Sequence, residues 1–398
     1  MRRGYGQIQR IRISSRTVNL ALVGLGYWGP NLLRAATDLD DLEVTMLCEL
    51  DAERLARHGR RHPFARLTQR FEDVLEDDSV DAVIISTPIA THHRLAKLSL
   101  EAGKHVLIEK PMASTPAACR ELIELATERD LILMPGHTFL YSPPVVAVKG
   151  MLEREELGDV HFISSTRVNL GIHQSDASVI EDLGPHDFSI LCYWMGRPKY
   201  VRALARDSIV PGTWDVAFID LVYPSGTLVR MEISWLAPTK LRRTVVAGRK
   251  AMVVYDDTSN EQVRVFDCGI DLVEPQNFGE HRLSYRIGDV VSPRLESSEP
   301  LRLELGDLAA SICSGSQPRS DMSLGFEVVR MMDAAETSLR HNGAPVPLDS
   351  PSEDRRQLPD RRQNGHRTPP LGDGRFRRRS DDVVEFSEAG TGHSNGGR

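Results

Sequence analysis

From Val18 onward the chain alternates short apolar runs with amphipathic stretches, and this alternation limits the possible folds more than any other feature. A short run of wholly apolar residues suits a strand covered on both faces, and a helix-period segment after it carries the chain back to start the next strand. Repetition of that unit predicts a doubly wound parallel sheet. Strands are expected at 19–23, 42–48, 82–86, 105–108 and 131–134, with helices at 30–37, 52–58, 71–75, 91–102 and 115–129. Gly103 follows the fourth helix where a left-handed residue belongs, and Pro116 stands just inside the fifth, after Ser114 or Thr115 as cap. Residues 17–137 therefore read as an N-terminal Rossmann domain.

A helix over about 144–157, closed by Gly158, leads into a different pattern. The runs HFISSTRV, YVRALAR, VAFIDLVY, TLVRMEISWL, RRTVVAG, AMVVYDD and VRVFD have period two, and Tyr223-Pro-Ser-Gly226 suits a hairpin turn between two of them. Two helices follow, over about 301–314 and 324–341, the second begun through Ser323 and ended through Gly343. Residues 138–348 are thus expected to form a C-terminal α+β domain with a large, mainly antiparallel sheet. Past 351 few large apolar residues remain, and the expectation is a disordered, Arg-rich tail over 351–398. No internal repeat is visible.

Composition narrows the function. Net charge is −7, yet residues 1–16 contribute five Arg and no acid, and residues 351–398 contribute ten Arg against eight acids. The net negative charge therefore resides in the body, which argues against a nucleic-acid partner, since phosphate contacts need clustered cations. No apolar run reaches the ~20 residues needed to span a bilayer, and the first sixteen residues lack the apolar core of a signal peptide. Five scattered cysteines form no C-x-x-C pair. A cytoplasmic protein with no membrane or nucleic-acid partner is expected.

Gly24-Leu-Gly26-Tyr27-Trp28-Gly29 follows the first strand and opens a helix, the context in which a G-x-G-x-x-G match predicts dinucleotide binding. Gly24 permits the tight turn, Gly26 lets backbone amides approach a pyrophosphate, and Gly29 lets helix and strand pack closely. Glu49 closes the second strand 20 residues after Gly29 and is placed to accept the ribose hydroxyls. Leu50, Asp51, Ala52 and Glu53 offer no cation to a 2′-phosphate, so NAD is expected over NADP.

Glu109-Lys110-Pro111 follows the strand 105–108 at the carboxyl edge, where open α/β sheets bind ligands. Downstream, Asp182 and His186 stand four residues apart, one turn if the segment is helical. A histidine oriented by a carboxylate suits removal of a hydroxyl proton near neutral pH. A solvated lysine, a capping aspartate and a helix-end histidine explain the same residues without catalysis. His93, His105, His137, His161 and His173 show no metal-ligand spacing, so no metal is expected.

These motifs, together with Thr87-Pro88, AGKHVLIEKP over 102–111, Gly136-His137 and Asp182-x-x-x-His186, resemble the glucose-fructose oxidoreductase, inositol dehydrogenase and rhizopine catabolism family over residues 18–348. Gly26-Tyr-Trp-Gly-Pro-Asn31, Asp182-Leu-Gly-Pro-His-Asp187, Ser234-Trp235 and Lys240-Leu-Arg242 are similar to its branch of nucleotide-sugar 3-dehydrogenases. The resemblance implies Lys110, Asp182 and His186 as the catalytic group. It also implies Tyr27, Trp28, Thr87, Pro88, His92, Glu109 and Lys110 around the cofactor, with Lys110 and His186 reaching the substrate. Arg167 and Asn169 are substrate-side candidates, because a sugar nucleotide needs donors for its oxygens, although salt-bridge or turn duties explain them equally.

The function expected is NAD-dependent oxidation of a ring hydroxyl on a sugar, foremost a nucleotide sugar such as UDP-N-acetylglucosamine or its uronate at C3. A free sugar or polyol substrate, or a non-catalytic NAD-binding sensor, are the alternatives. The family's habit implies a homodimer or homotetramer through the open face of the second sheet. Alternation in VAFIDLVY and TLVRMEISWL is expected to supply an apolar face for it.

Overall fold

The computed structural model describes residues 17–171, 173, 177–273 and 282–348; the basic first sixteen residues and the expected tail lie outside them. In the first half the chain runs β1 (Val18–Val23), α1 (Gly29–Thr37), β2 (Leu42–Cys48), α2 (Ala52–Gly59), β3 (Arg66–Thr68), α3 (Phe71–Glu76), β4 (Ala82–Ile85), α4 (Ile89–Glu101), β5 (His105–Glu109), α5 (Pro116–Glu128) and β6 (Leu133–Gly136). The strands pair in the order β3-β2-β1-β4-β5-β6, all parallel, as the alternation predicts. β3 escaped the sequence reading because three residues, two of them exposed, make no apolar run. Local chemistry sets the helix starts: the Asp51 carboxylate accepts the Arg54 N–H at the head of α2, and the Thr115 hydroxyl accepts the Ala118 N–H at the head of α5. Every strand ends at the same edge, which gathers the loops after Val23, Cys48, Ile85, Glu109 and Gly136.

A 3₁₀ turn (Thr138–Tyr141) and α6 (Pro143–Glu153) lead to β7 (Val160–Leu170), α7 (Val179–Asp182) and α8 (Gly184–Met195). Then come β8 (Tyr200–Arg206), β9 (Val216–Val222), β10 (Leu228–Ser234), β11 (Leu236–Gly248), β12 (Met252–Asp256), β13 (Val263–Val273), β14 (Arg282–Val291), α9 (Pro300–Ser314), α10 (Met322–Arg340) and β15 (Val346–Pro347). α6 stops short of the expected 157, and the chain turns through Glu155 and Gly158, both at positive φ. α10 is capped by the Asp321 carboxylate, which accepts the Leu324 N–H, rather than by Ser323.

The nine strands pair as β14-β13-β12-β11-β7-β10-β9-β8-β15, antiparallel except for the β7–β10 pair. Gly226 donates its N–H to the Tyr223 carbonyl, at 2.9 Å, in the expected β9–β10 hairpin turn. Expected strands ended near Phe266, whereas the sheet continues through β13 and β14, where Tyr285 and Ile287 face solvent.

The two faces of this sheet differ from expectation. Ala217, Ile219, Leu221, Val229, Met231 and Ile233, the apolar set of VAFIDLVY and TLVRMEISWL, are buried against α8 and α10 through Phe188, Leu191, Val328, Met331 and Ala335. They form the core and cannot serve as a docking face. The opposite face is mixed: Phe162, Leu204, Phe218 and Leu228 share it with the cross-strand Arg230–Asp220 pair. Period two reveals that a strand has two faces, and tertiary packing decides that the more apolar one goes inward.

α9, although it follows the second sheet in sequence, packs on the first, where Leu301, Leu305, Leu308 and Ala309 join Val18, Leu20, Leu32 and Tyr141 in one cluster. The linker to α10 is tied to the end of β6: the Ser320 hydroxyl donates to the Pro135 carbonyl at 2.6 Å, and Tyr141 donates to Asp307 at 2.7 Å. Among the described residues no helix is long and apolar enough to cross a membrane.

Candidate active site

The glycine loop is built for close approach. Gly24 has φ +92°, and a Cβ there would stand 2.5 Å from the Ser86 carbonyl oxygen; a Cβ on Gly29 would stand 2.2 Å from that of Gly24. Nothing lies within 4 Å of where a Gly26 Cβ would be. Tight packing beneath and open space above suit a backbone that must meet a pyrophosphate at the start of α1. Tyr27 is 95% exposed beside it, and Trp28 opens the helix.

Glu49 does more than the sequence implied. Its carboxylate accepts the Leu25 N–H at 2.7 Å and the Asp51 N–H at 3.0 Å, and Arg54 lies 3.4 Å away. The residue expected to meet the ribose therefore also ties the glycine loop to the end of β2. His92 is buried, with Nδ1 2.9 Å from the Pro111 carbonyl and Nε2 2.8 Å from that of Thr87. Both ring nitrogens are spent on backbone, so His92 joins the loops bearing Thr87-Pro88 and Lys110. The Thr87 hydroxyl is 2.7 Å from that of Thr91.

At the end of β5 the two residues of the Glu-Lys pair diverge. Glu109 is buried, its Oε2 accepts the Lys110 N–H, and burial lifts its carboxyl to about 7 against the opposing pull of Lys110 and Trp28. Lys110 extends across to α7, where Nζ donates to the Asp182 carbonyl at 2.8 Å and lies 3.5 Å from Oδ1. The other carboxylate oxygen, Oδ2, accepts from Trp235 Nε1 at 3.1 Å. Asp182 is thus held from both sides by residues 72 and 53 positions away in the chain.

His186 stands in the first turn of α8, its ring edge-on to Phe139 at 5.0 Å. Desolvation, then the charges of Lys110, Arg167 and Arg242, hold its pKa well below the usual histidine range, so the imidazole is neutral at pH 7 and able to accept a proton. Asp182 closes α7 and His186 opens α8, so the four-residue spacing bridges two short helices.

Arg167 is only 3% exposed. It donates to Asp187, whose other oxygen accepts the Ser165 hydroxyl at 2.7 Å, and its guanidinium lies over the Phe139 ring at 4.7 Å. Arg242, paired in register with Arg167, lies over the same ring at 5.7 Å and donates to Asp257 at 3.1 Å. The salt-bridge reading of Arg167 is thus present in the geometry. Asn169 lies two residues further along β7, half-buried. Asp187 and Trp235 stood in the motifs without an assigned role, and Phe139, the ring that both guanidiniums cover, had no signal in its local sequence. His93 lies apart, bonded to Glu121, and the described residues contain no cluster able to hold a metal ion.

Comparison with known proteins gives the family. The profile of the GFO/IDH/MocA oxidoreductase family, NAD-binding Rossmann fold, matches residues 18–137, and that of the GFO/IDH/MocA C-terminal domain matches residues 145–254. D-apiose dehydrogenase from Paraburkholderia graminis is 29% identical over 54% of this chain, and inositol 2-dehydrogenase 2 from Saccharopolyspora erythraea is 28% identical over 54%. The chain spans 60% and 66% of the lengths of those two relatives. In fold it is similar to the UDP-N-acetylglucosamine 3-dehydrogenase from Acidithiobacillus ferrooxidans, with TM-score 0.69, 23% identity, and coverage of 82% of this chain and 98% of the other. With both domain profiles matched in order, the chain belongs to the glucose-fructose oxidoreductase, inositol dehydrogenase and rhizopine catabolism family of oxidoreductases and carries that family's NAD-binding Rossmann domain.

Proposed function

We propose that the protein oxidises a ring hydroxyl of a sugar to a ketone by hydride transfer to NAD. The observation that carries this reading is the convergence of Lys110 from the first domain with Asp182, next to a half-buried His186 whose pKa desolvation and nearby cations hold low. His186 takes the hydroxyl proton as general base, and the Lys110 ammonium stabilises the alkoxide that develops. Asp182, fixed by Trp235, holds that ammonium in place. When bound, NAD supplies the hydride acceptor, and the protein's part is to position its reactive face against the sugar. Arg167, through Asp187, braces the start of α8 and hence His186.

For the substrate, we favour a nucleotide sugar such as UDP-N-acetylglucosamine or its uronate, oxidised at C3. The loop and strand motifs shared with that branch support it, and the half-buried Arg242 and Asn169 supply donors for an anionic or hydroxylated group. A free sugar or polyol is favoured instead by the names of the apiose and inositol dehydrogenases at 28–29% identity. NADH formation measured against a panel of nucleotide sugars, free sugars and inositols tests both. Turnover on inositol or apiose alone would overturn the nucleotide-sugar reading, and no turnover on any member would overturn the dehydrogenase. Association as a homodimer or homotetramer through the mixed open face of the second sheet, in the cytoplasm, is part of the same proposal.

A further inference from the structure

Trp235 gives Asp182 the one hydrogen bond that reaches its outer carboxylate oxygen among the described residues, from Nε1 to Oδ2 at 3.1 Å. The backbone of Trp235 is fixed at both ends: its N–H donates to the Asp215 carbonyl and its carbonyl accepts the Gly171 N–H, each at 2.9 Å. A Cβ on Gly171 would stand 2.6 Å from Trp235 Cδ1, so the chain leaving β7 runs directly against the indole. Two residues on, the His173 ring meets the same indole edge-on, with centroids 5.1 Å apart and planes at 60°. The proposed chemistry assigns His173 no part.

Only 24% of the His173 side chain is exposed, and its Nε2 is buried, bonded to nothing and 3.9 Å from Asp215 Oδ2. Asp215 is wholly buried; its Oδ2 accepts the Ser208 and Ile209 N–H groups at 2.7 and 2.8 Å, and its Oδ1 has no partner. His173 is the one basic side chain paired with it among the described residues. At 3.9 Å the contact is longer than a hydrogen bond. A carboxylate in a buried site nevertheless attracts an N–H dipole, and because it can only accept, it favours the tautomer with hydrogen on Nε2. Asp215 thus acts twice: its carbonyl fixes the Trp235 backbone, and its carboxylate keeps the His173 ring turned inward against the indole.

We propose that His173 is a positioning residue that clamps the Trp235 indole against Asp182, so that the carboxylate stays where it meets the Lys110 ammonium. The order of contact is His173 ring, Trp235 indole, Asp182 carboxylate and Lys110 Nζ, the last 3.5 Å from Oδ1. His173 touches neither sugar nor cofactor in this role. It acts because a fixed backbone does not fix a side chain: an indole free to leave its rotamer would carry its single N–H away from Oδ2.

The inference rests on the proposed dehydrogenase role of Lys110, Asp182 and His186. Its test is a cycle of His173→Ala and Trp235→Phe in the full chain, read as kcat and KM on the best sugar of the panel, with NAD affinity alongside. His173→Ala is expected to lower kcat by about tenfold, the scale of the hydrogen bond it loosens, with KM and NAD affinity held within about threefold. In Trp235→Phe, which has already lost that N–H, the same substitution adds nothing, so the double variant stays about tenfold down instead of the roughly hundredfold of two independent effects. His173→Phe, which keeps a ring on the indole, retains kcat within about threefold of native. A reading independent of activity accompanies these: His173→Ala changes the tryptophan emission of the native protein and leaves that of Trp235→Phe unaltered. Should His173→Ala fail to fold, His173→Gln replaces it in both readings. Native kcat in the folded His173 variant, a roughly hundredfold loss in the double variant, or a loss in His173→Phe equal to that in His173→Ala overturns the clamp. Absence of turnover by the native protein on every sugar overturns the dehydrogenase reading instead, and the emission cycle then decides the clamp.

Discussion

The two sheets contribute to the candidate site by different means. The first offers what comes immediately after its strands: the glycine loop after β1, Glu49 after β2, Thr87-Pro88 after β4 and Lys110 after β5. The second offers side chains that long-range pairs keep in position: Arg167 on Asp187, Arg242 on Asp257 and Trp235 on Asp182. One region places its chemistry by local backbone geometry and the other by ion pairs and hydrogen bonds between residues distant in the chain. Substitutions in the first should therefore separate function from stability, and those in the second should couple them.

The largest effect expected is on turnover. Lys110→Ala and His186→Ala should each lower it by on the order of 10² to 10⁴ while NAD still binds, measured on the best sugar of the panel alongside cofactor affinity. Native activity in both would remove the mechanism. Because burial and three nearby cations lower the His186 pKa, its neutral form persists as the solution is acidified. The limb of the rate profile belonging to this base should accordingly lie well below pH 6.5, and a limb at or above 6.5 would show that the base is another group.

Next comes Asp187→Ala, which leaves the Arg167 guanidinium buried without its carboxylate. A loss of about 3–5 kcal/mol of stability is expected, together with lost activity, because α8 carries both Asp187 and His186. Chemical denaturation measures it. Unchanged stability would mean that the two regions do not differ as argued.

Trp235→Phe keeps the ring and removes one N–H, so turnover should fall about tenfold, the scale of a hydrogen bond to a charged group, and the thermal midpoint should fall with it. Smallest is Glu49→Ala. It frees the Leu25 N–H and removes the carboxylate proposed to meet the ribose, and we expect NAD affinity to fall by about tenfold or less while the preference over NADP erodes. Equal affinities of the native protein for the two cofactors would dismiss Glu49 as the discriminator.

Much of this was legible in the chain because its signals are local. A strand buried on both faces must be apolar throughout, a turn at positive φ selects glycine, and a helix start selects a capping Asp or Thr, so the first sheet and the glycine loop could be read from Val18 to Gly136. The same logic located Lys110, Asp182 and His186 as chemistry-bearing residues without establishing that they meet. Only the tertiary structure brought Lys110 to Asp182, placed α9 against the first sheet, and turned the apolar alternation of β9 and β10 into core. Periodicity records how many faces an element has, whereas which face is covered, and which distant charge answers a buried one, depends on packing between segments far apart in sequence.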